Sequence, residues 1–287
     1  MSIEVKKQHY VWEYYLKGWA TDGQIWCKRE DKIFFPSTEN VAQQRYFYEI
    51  ETLSDDEIKL LRGMVMKGPA INQLTNLSSL NTYISIANSG EKWARFGLEQ
   101  YHGIIESNAL PVLKALRERN FDVLNDRQSK IHLCIYMGHQ YTRTKKARSS
   151  FTYPQDPVIP EKYKYFYLQK AHNAIGFVLA NAIGSSICDH LDLRVIENHS
   201  DINLITSDQP IYNILAIPGV TSNESSIYFP ISPDLALWAK KEPCNENINT
   251  EENVVKLNSF MAKNSLEFIF ASSQEELETL TAEVDSQ

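Results

Sequence analysis

Apolar residues recur at spacings of three and four through the middle of this chain, and at a spacing of two near both ends. That division constrains the fold more than any other feature. Between Leu74 and Arg119 the residues Ala94, Leu98, Tyr101, Ile105, Ala109, Val112 and Leu116 line one side of a helical stretch. A second long helix is expected from Arg127 to Ala147. A third follows from Glu161 to His190, after a loop containing Pro154, Pro157 and Pro160. Asp55 to Met66 reads as a shorter amphipathic helix, with Ser54 as N-cap and Gly68-Pro69 as its stop. Ahead of this helical middle, about residues 54–190, stand two strand-type runs, GQIWCKRED and KIFFPS, joined by the charged turn Lys28 to Lys32. Behind it come RVIE, INLIT, IYNILAI, SIYFPI and LALWAK, a helix over Asn253 to Asn264, the strand LEFIFAS and an acidic terminal helix. With 287 residues and 43% hydrophobic content, the chain can bury a sizeable core. The economical arrangement is one α+β domain over 1–287. Strands from the N- and C-terminal parts share a sheet, and the long helices form a central layer on it.

A net charge of -7 opposes contact with nucleic acid or anionic membranes, except through a local basic patch. Residues 141–170 contain one: Arg143, Lys145, Lys146, Arg148, Lys162, Lys164 and Lys170 against Asp156 and Glu161. Tyr163, Tyr165, Phe166 and Tyr167 interleave with the lysines. Cations alternating with aromatic rings suit a nucleotide or single-stranded nucleic acid. The competing reading is a helix whose aromatics face the core. A protein partner is the other contact left open. Cys27, Cys134, Cys188 and Cys244 form no C-x-x-C pair, which fits reduced thiols in a cytoplasmic protein better than disulfides or a zinc site. The start, MSIEVKKQHY, has no signal-peptide pattern. The uncharged run Ala171 to Cys188 is short and contains His172, Asn173 and Asn181, so a buried core helix is expected there and no membrane contact.

Walker A, G-x-G-x-x-G, G-x-S-x-G and H-E-x-x-H motifs are all absent from the sequence. Glu99, His102 and Glu106 share one helix face, which makes them a candidate divalent-metal stripe or a plain solvated helix edge. Gln140 and Arg143 lie one turn apart. An arginine beside an amide can hold a phosphate or carboxylate, or it can pair with a buried glutamate. Ser207-Asp208-Gln209-Pro210 follows an apolar strand directly. That is a strand-end site or an ordinary Asx turn. His9-Tyr10 and Pro230-x-Ser232-Pro233 have the same two readings. Arg127 with His132, and Arg95 with His102, resemble the Arg-x4–6-His signature of HEPN ribonucleases. Gln128 and Phe96 stand where that family carries Asn, Asp or His after its arginine.

These segments, taken in order, resemble a known family. They are His9-Tyr10-Val11-Trp12 with Tyr15-Leu16 and Trp19, then Glu99 and Glu106, then Gln140, Arg143 and Thr144. Thr206, Ser207, Asp208 and Pro210 follow, then Phe229-Pro230-Ile231-Ser232-Pro233 and Asn258. Together they are similar to the bacterial domain-of-unknown-function family 4238, across almost the whole chain. Trp12 stands where that pattern has proline, and Trp19 where it has phenylalanine. Both departures touch packing more than polar chemistry. The resemblance implies little about activity beyond an expected role in defence against phage.

The residues themselves lead to one expected site. His9, Glu106, Gln140, Arg143 and Asp208 would converge as catalytic groups, with Tyr10, Arg148, Ser207, Ser232 and Asn258 holding ligand. The imidazole would move protons, the carboxylates would hold a water or a divalent metal, and Arg143 would bind phosphate. The matching activity is that of a nuclease or phosphate-ester hydrolase. The alternative is a non-catalytic ligand- or partner-sensing module of a defence system. A third reading makes the polar motifs buried networks that fix the fold.

Overall fold

Backbone from the two ends of the chain meets in one antiparallel sheet. The computed structural model describes residues 4–150, 160–215, 225–241 and 250–284, so the loop residues 151–159, with Pro154, Asp156 and Pro157, and also Cys244 lie outside the described residues. The N-terminal part supplies β1 (Lys7–His9), the single turn α1 (Glu13–Leu16), β2 (Trp26–Arg29), β3 (Lys32–Phe34) and β4 (Gln43–Arg45). The middle supplies α2 (Asp55–Lys67), α3 (Ala70–Asn88), α4 (Glu91–Arg117), α5 (Arg127–Thr142), α6 (Lys145–Ser149) and α7 (Ala171–His190). The remainder supplies β5 (Asp192–Glu197), β6 (Thr206–Ser207), β7 (Tyr212–Asn213), β8 (Ser226–Ser232), β9 (Leu235–Lys240), α8 (Glu251–Lys263), β10 (Ile269–Ala271) and α9 (Gln274–Val284).

The fold is α+β, and the expected shared sheet forms in the order β3-β2-β10-β6. Phe270 on β10 faces Cys27 on one side and Thr206 on the other. A second antiparallel sheet, β5-β9-β8-β7, comes from the later half alone. Its strands β8 and β9 are buried along nearly their whole length, which explains their continuous apolar sequence. Pro230 cannot donate to the ladder, and the register shifts beside it, between Pro230 and Ser232.

The helices follow the apolar spacing, but glycine and threonine cut two of them. Ser54 starts α2 with a reciprocal capping box to Glu57. The stretch expected from Leu74 begins earlier, directly after Pro69, and is two helices instead of one. Gly90 sits at φ +99°, a left-handed conformation that stops the helical bonding while the apolar spacing resumes beyond it. The second helix ends at Thr142, short of Ala147. Thr144 is extended, and its hydroxyl accepts the Ala147 amide 3.1 Å away to start α6. The third begins as a 3-10 turn at Glu161–Tyr163 and passes through a π-type turn at Phe166–Lys170 before α7. Of INLIT, only Thr206 joins a strand. The Leu204 amide donates instead to the Pro233 carbonyl and the Ile205 amide to Asn258 Oδ1.

Helix α7 is largely buried, as its composition required, and no helix among the described residues is long and apolar enough to cross a membrane. It packs against α5 backbone to backbone. A methyl group on Gly138 would stand 2.1 Å from the Ala180 carbonyl oxygen, and one on Gly184 would stand 2.7 Å from that of Cys134. This contact places the C-terminal end of α5, with Gln140 and Arg143, in the interior.

Candidate functional site

The polar motifs meet in one buried network, and most of its bonds go to backbone. Gln140 is fully buried. Its Nε2 donates to the Tyr10 carbonyl at 2.9 Å, and its Oε1 accepts the Trp12 amide at 3.3 Å. The amide side chain therefore fastens the opening segment to α5. The same Oε1 accepts Arg143 Nη2 at 2.7 Å and Nε at 3.2 Å. Arg143 Nη2 also donates to Glu106 Oε1 at 2.6 Å. Glu106, Gln140 and Arg143 are thus brought together, as expected. Burial raises the Glu106 pKa, and the charge and hydrogen bond of Arg143 oppose that rise.

Asp208 has a different occupation. Its Oδ1 accepts the Leu266 amide at 2.9 Å and its Oδ2 the Glu267 amide at 2.7 Å, while its own amide donates to the Phe268 carbonyl at 3.0 Å. The carboxylate lashes the end of β6 to the entry of β10. Burial raises its pKa and those amides oppose the rise. Ser207 Oγ donates to the Gln209 carbonyl within the same turn. Gln209 links this turn to the helix joint: its Oε1 accepts the Thr144 hydroxyl, and its Nε2 donates to the Ile211 carbonyl at 3.0 Å. Tyr15 of the opening segment reaches Thr206 Oγ1 at 2.6 Å and donates to the Pro230 carbonyl at 2.8 Å. Trp19 Nε1 donates to the Leu204 carbonyl at 2.7 Å. Asn258 holds the Asn203 carbonyl and the Ile205 amide, and Ser232 Oγ donates to Asp234. His9 is half-buried. Its Nε2 has no partner, and burial lowers its pKa against the pull of Glu13. The Tyr10 hydroxyl is also unpartnered, with the Lys145 ammonium 5.1 Å from its ring centre.

Behind Arg143 lies a small polar pocket of about 20 Å³, enough for one ordered water by its volume. Tyr48, His102, His139, Arg143, Arg148 and His172 supply most of its polar lining. Arg148 Nη1 donates to the Phe47 carbonyl at 2.6 Å, and its guanidinium lies 3.5 Å from the Phe47 ring centre. No carboxylate among the described residues pairs with it. Burial pulls its pKa down to about 10. The His102 and His139 rings meet edge to face at 5.3 Å, and each has a buried Nδ1 without a partner among the described residues. Burial lowers His102 well below its ordinary value, with Arg143 adding to the effect. Burial also takes His139 down to about 3, against its bond to Asn181, and His172 down to about 4, with help from Arg148. At neutral pH the pocket therefore holds neutral imidazoles and two guanidinium groups. Among the described residues, Glu106 pairs with Arg143 alone. Burial and the Glu106 charge raise nearby Glu99 to about 7.

The expected stripe of Glu99, His102 and Glu106 does not converge on one point. Glu106 turns to Arg143 and His102 into the aromatic stack beside Tyr48, at 4.7 Å. No group of three or more His, Cys, Asp or Glu among the described residues is arranged to hold a metal ion. The HEPN-like pairs separate too. His132 bonds Gln128 on the surface, and Arg95 pairs with Glu49 and Glu91. Much of the basic patch is neutralised in place: Lys145 by Glu267, Lys162 by Asp56, Lys164 by Glu161 and Lys170 by Glu57. Phe166 and Tyr167 face the core and Tyr165 faces solvent.

The sequence assigned no site role to His139, His172, Thr144, Gln209 or Arg117, although Thr144 and Gln209 stand inside its motifs. Arg117 donates to the carbonyls of Tyr14, Tyr15 and Ile231. The available signal for His172 was a histidine inside an otherwise apolar helix.

The model of a family described as "Protein of unknown function (DUF4238)" matches residues 7–275. The chain belongs to the DUF4238 family. The match spans every segment that carried the resemblance, from His9 to Asn258. In this member of DUF4238 those segments are joined by the hydrogen bonds described above. No curated protein and no solved structure matches the chain.

Proposed function

We propose that this protein takes a phosphate group of a nucleotide or nucleic acid between Arg143 and Arg148, and acts on it as a nuclease or phosphate-ester hydrolase. One observation carries the reading: Arg148 brings a guanidinium into a polar pocket that a second guanidinium also lines, with no carboxylate among the described residues to neutralise it. Two guanidinium forks can each donate a pair of N–H groups to the oxygens of a phosphate. The pocket has room for one water, so it would widen to admit a phosphate, with the rest of a nucleotide or nucleic acid lying outside it. The neutral imidazoles of His102 and His172 line the same pocket, and in this reading one of them accepts the proton of the attacking water. The test uses bis(p-nitrophenyl) phosphate and labelled single-stranded RNA and DNA, with inorganic phosphate as competitor. Wild type is expected to cleave at least one ester, Arg148→Met to lose 10-fold or more, and both to melt at similar temperatures. Equal cleavage by Arg148→Met sinks the reading.

A second reading is sensing without turnover. It is favoured by the occupation of Glu106 and Asp208, whose oxygens serve Arg143 and backbone amides. Phosphate that raises the melting temperature, with no ester cleaved, selects it. The setting proposed with either reading is defence against phage, and it rests on the family resemblance alone. Unchanged phage plating on cells carrying the gene removes it.

A further inference from the structure

A second cavity lies across the α5–α7 contact from the arginine pocket. The two share Thr142 and Gly176 as a common wall. Its volume is about 510 Å³, the size of a small organic ligand. Leu179 and Ile183 of α7, Phe260 of α8 and Tyr212 of β7 form the apolar surfaces. Tyr212 and Phe260 meet edge to face at 5.4 Å, a rigid aromatic corner.

Among the described residues, one charged side chain lines this cavity. Lys146 on α6 is half-buried, donates to the Asn264 carbonyl, and stands 5.4 Å from the Tyr212 ring centre. Its neighbour Lys145 is neutralised by Glu267, but no carboxylate among the described residues pairs with Lys146. Asp208 is the acidic group whose field reaches it, and both Asp208 oxygens are taken by backbone amides. Burial lowers the Lys146 pKa, as expected for an ammonium whose water has been partly removed. An apolar cavity with a cation at its wall that no carboxylate among the described residues pairs is complementary to one kind of molecule.

We infer that this cavity is a binding site for an amphipathic organic monoanion, an apolar or aromatic body bearing one negative group that pairs with Lys146. The body lies against Leu179, Ile183 and Phe260. The site is independent of the phosphate reading, since its cation and its apolar surfaces are different residues and only Thr142 and Gly176 line both cavities.

The full chain is titrated with 8-anilinonaphthalene-1-sulfonate, an aromatic monoanion whose fluorescence rises in apolar surroundings. Decanoate and decanol are competitors that differ in charge. Wild type is expected to bind one equivalent. Decanoate should displace it at least 10-fold better than decanol. Lys146→Met should weaken binding 10-fold or more, and Ile183→Trp should abolish it by filling the cavity. Arg148→Met should bind as wild type, which separates this site from the arginine pocket. Far-ultraviolet dichroism and melting temperature of each variant report whether it has folded. If Ile183→Trp fails to fold, Leu179→Trp, on the same wall and more exposed, replaces it. Binding that is equal in folded Lys146→Met, or equal competition by decanol, overturns the charge assignment. Absence of binding by wild type overturns the site.

Discussion

Removing the Asp208 carboxylate distinguishes a catalytic group from a structural one. In Asp208→Ala the amides of Leu266 and Glu267 lose their acceptors, and the loop entering β10 loses its tie to β6. A buried donor left without a partner costs about 1–3 kcal/mol. Leu266 is partly exposed, so water can reach this edge of the loop and relieve some of that cost. Burial also disfavours the carboxylate charge, and its loss returns a little. The expected net loss is about 2–3 kcal/mol, a large share of the ~5–15 kcal/mol that holds a typical fold. At roughly 2–4 °C per kcal/mol for a chain of this size, the melting temperature should fall by about 5–10 °C. Asp208→Asn keeps one acceptor but turns an NH2 group towards the other amide, so it should fall between the two. Urea unfolding followed by circular dichroism gives the free energy, and hydrogen exchange at Leu266 and Glu267 gives the location. A variant within about 0.5 kcal/mol of wild type, with both amides still protected, would refute the structural assignment and return Asp208 to the candidate catalytic groups.

Three further outcomes follow from the same geometry. Gly138→Ala places a methyl 2.1 Å from the Ala180 carbonyl oxygen and must push α5 from α7, so thermal melts should show the upper end of the ~1–3 kcal/mol typical of overpacking; a loss under 0.5 kcal/mol would mean the helices part easily. Arg117→Met strips the carbonyls of Tyr14, Tyr15 and Ile231 of their shared donor and should cost about 2–4 kcal/mol in urea unfolding, with a neutral outcome counting against the clamp. The folded pKa of His139, about 3, lies below the ordinary 6.5, so the unfolded chain binds the extra proton and stability present at pH 7 is lost as pH falls through 6.5 towards 3. That term is worth about 2 kcal/mol at pH 5, and His139→Gln should flatten the acid limb of stability against pH. An unchanged limb would place the titration elsewhere.

The helices were legible because burial writes their apolar period into the sequence. Their breaks were less so. Gly90 interrupts a pattern whose spacing continues on both sides, and Thr144 restarts a helix inside a run that carries no proline. The shared sheet followed from strand-type runs at both ends, yet INLIT misled, because its alternating residues use Asn258 and Pro233 as partners instead of a neighbouring strand. In the site, Gln140 and Arg143 were recognisable from their spacing. What each side chain bonds was not, because a residue type gives its capacity for hydrogen bonds and the fold decides the partner. Asp208 shows this most sharply: a strand-end aspartate fits an active site and an amide clamp equally well, and here both oxygens meet backbone. His172 escaped notice because its pocket is assembled from α4, α5, α6 and α7 together.

The occupied carboxylates bear on how the proposed phosphate site would work. Two guanidinium groups near each other repel, and Glu106 answers only one of them. The repulsion must be held by something rigid for the pair to await an anion. Gln140 fixes Arg143 to the opening segment. Thr144, one residue on, is fixed to Gln209, and the Asp208 turn that carries Gln209 is tied to β10. The network therefore sets the Arg143 guanidinium before any ligand arrives, and an anion would meet that donor already positioned. On this argument, substitutions at Gln140, Thr144 or Asp208 lower stability and phosphate affinity together. Arg148 takes no part in that network beyond its bond to the Phe47 carbonyl. Arg148→Met is accordingly the change that separates binding from folding, and phosphate that stabilises this variant as strongly as wild type would place the anion elsewhere.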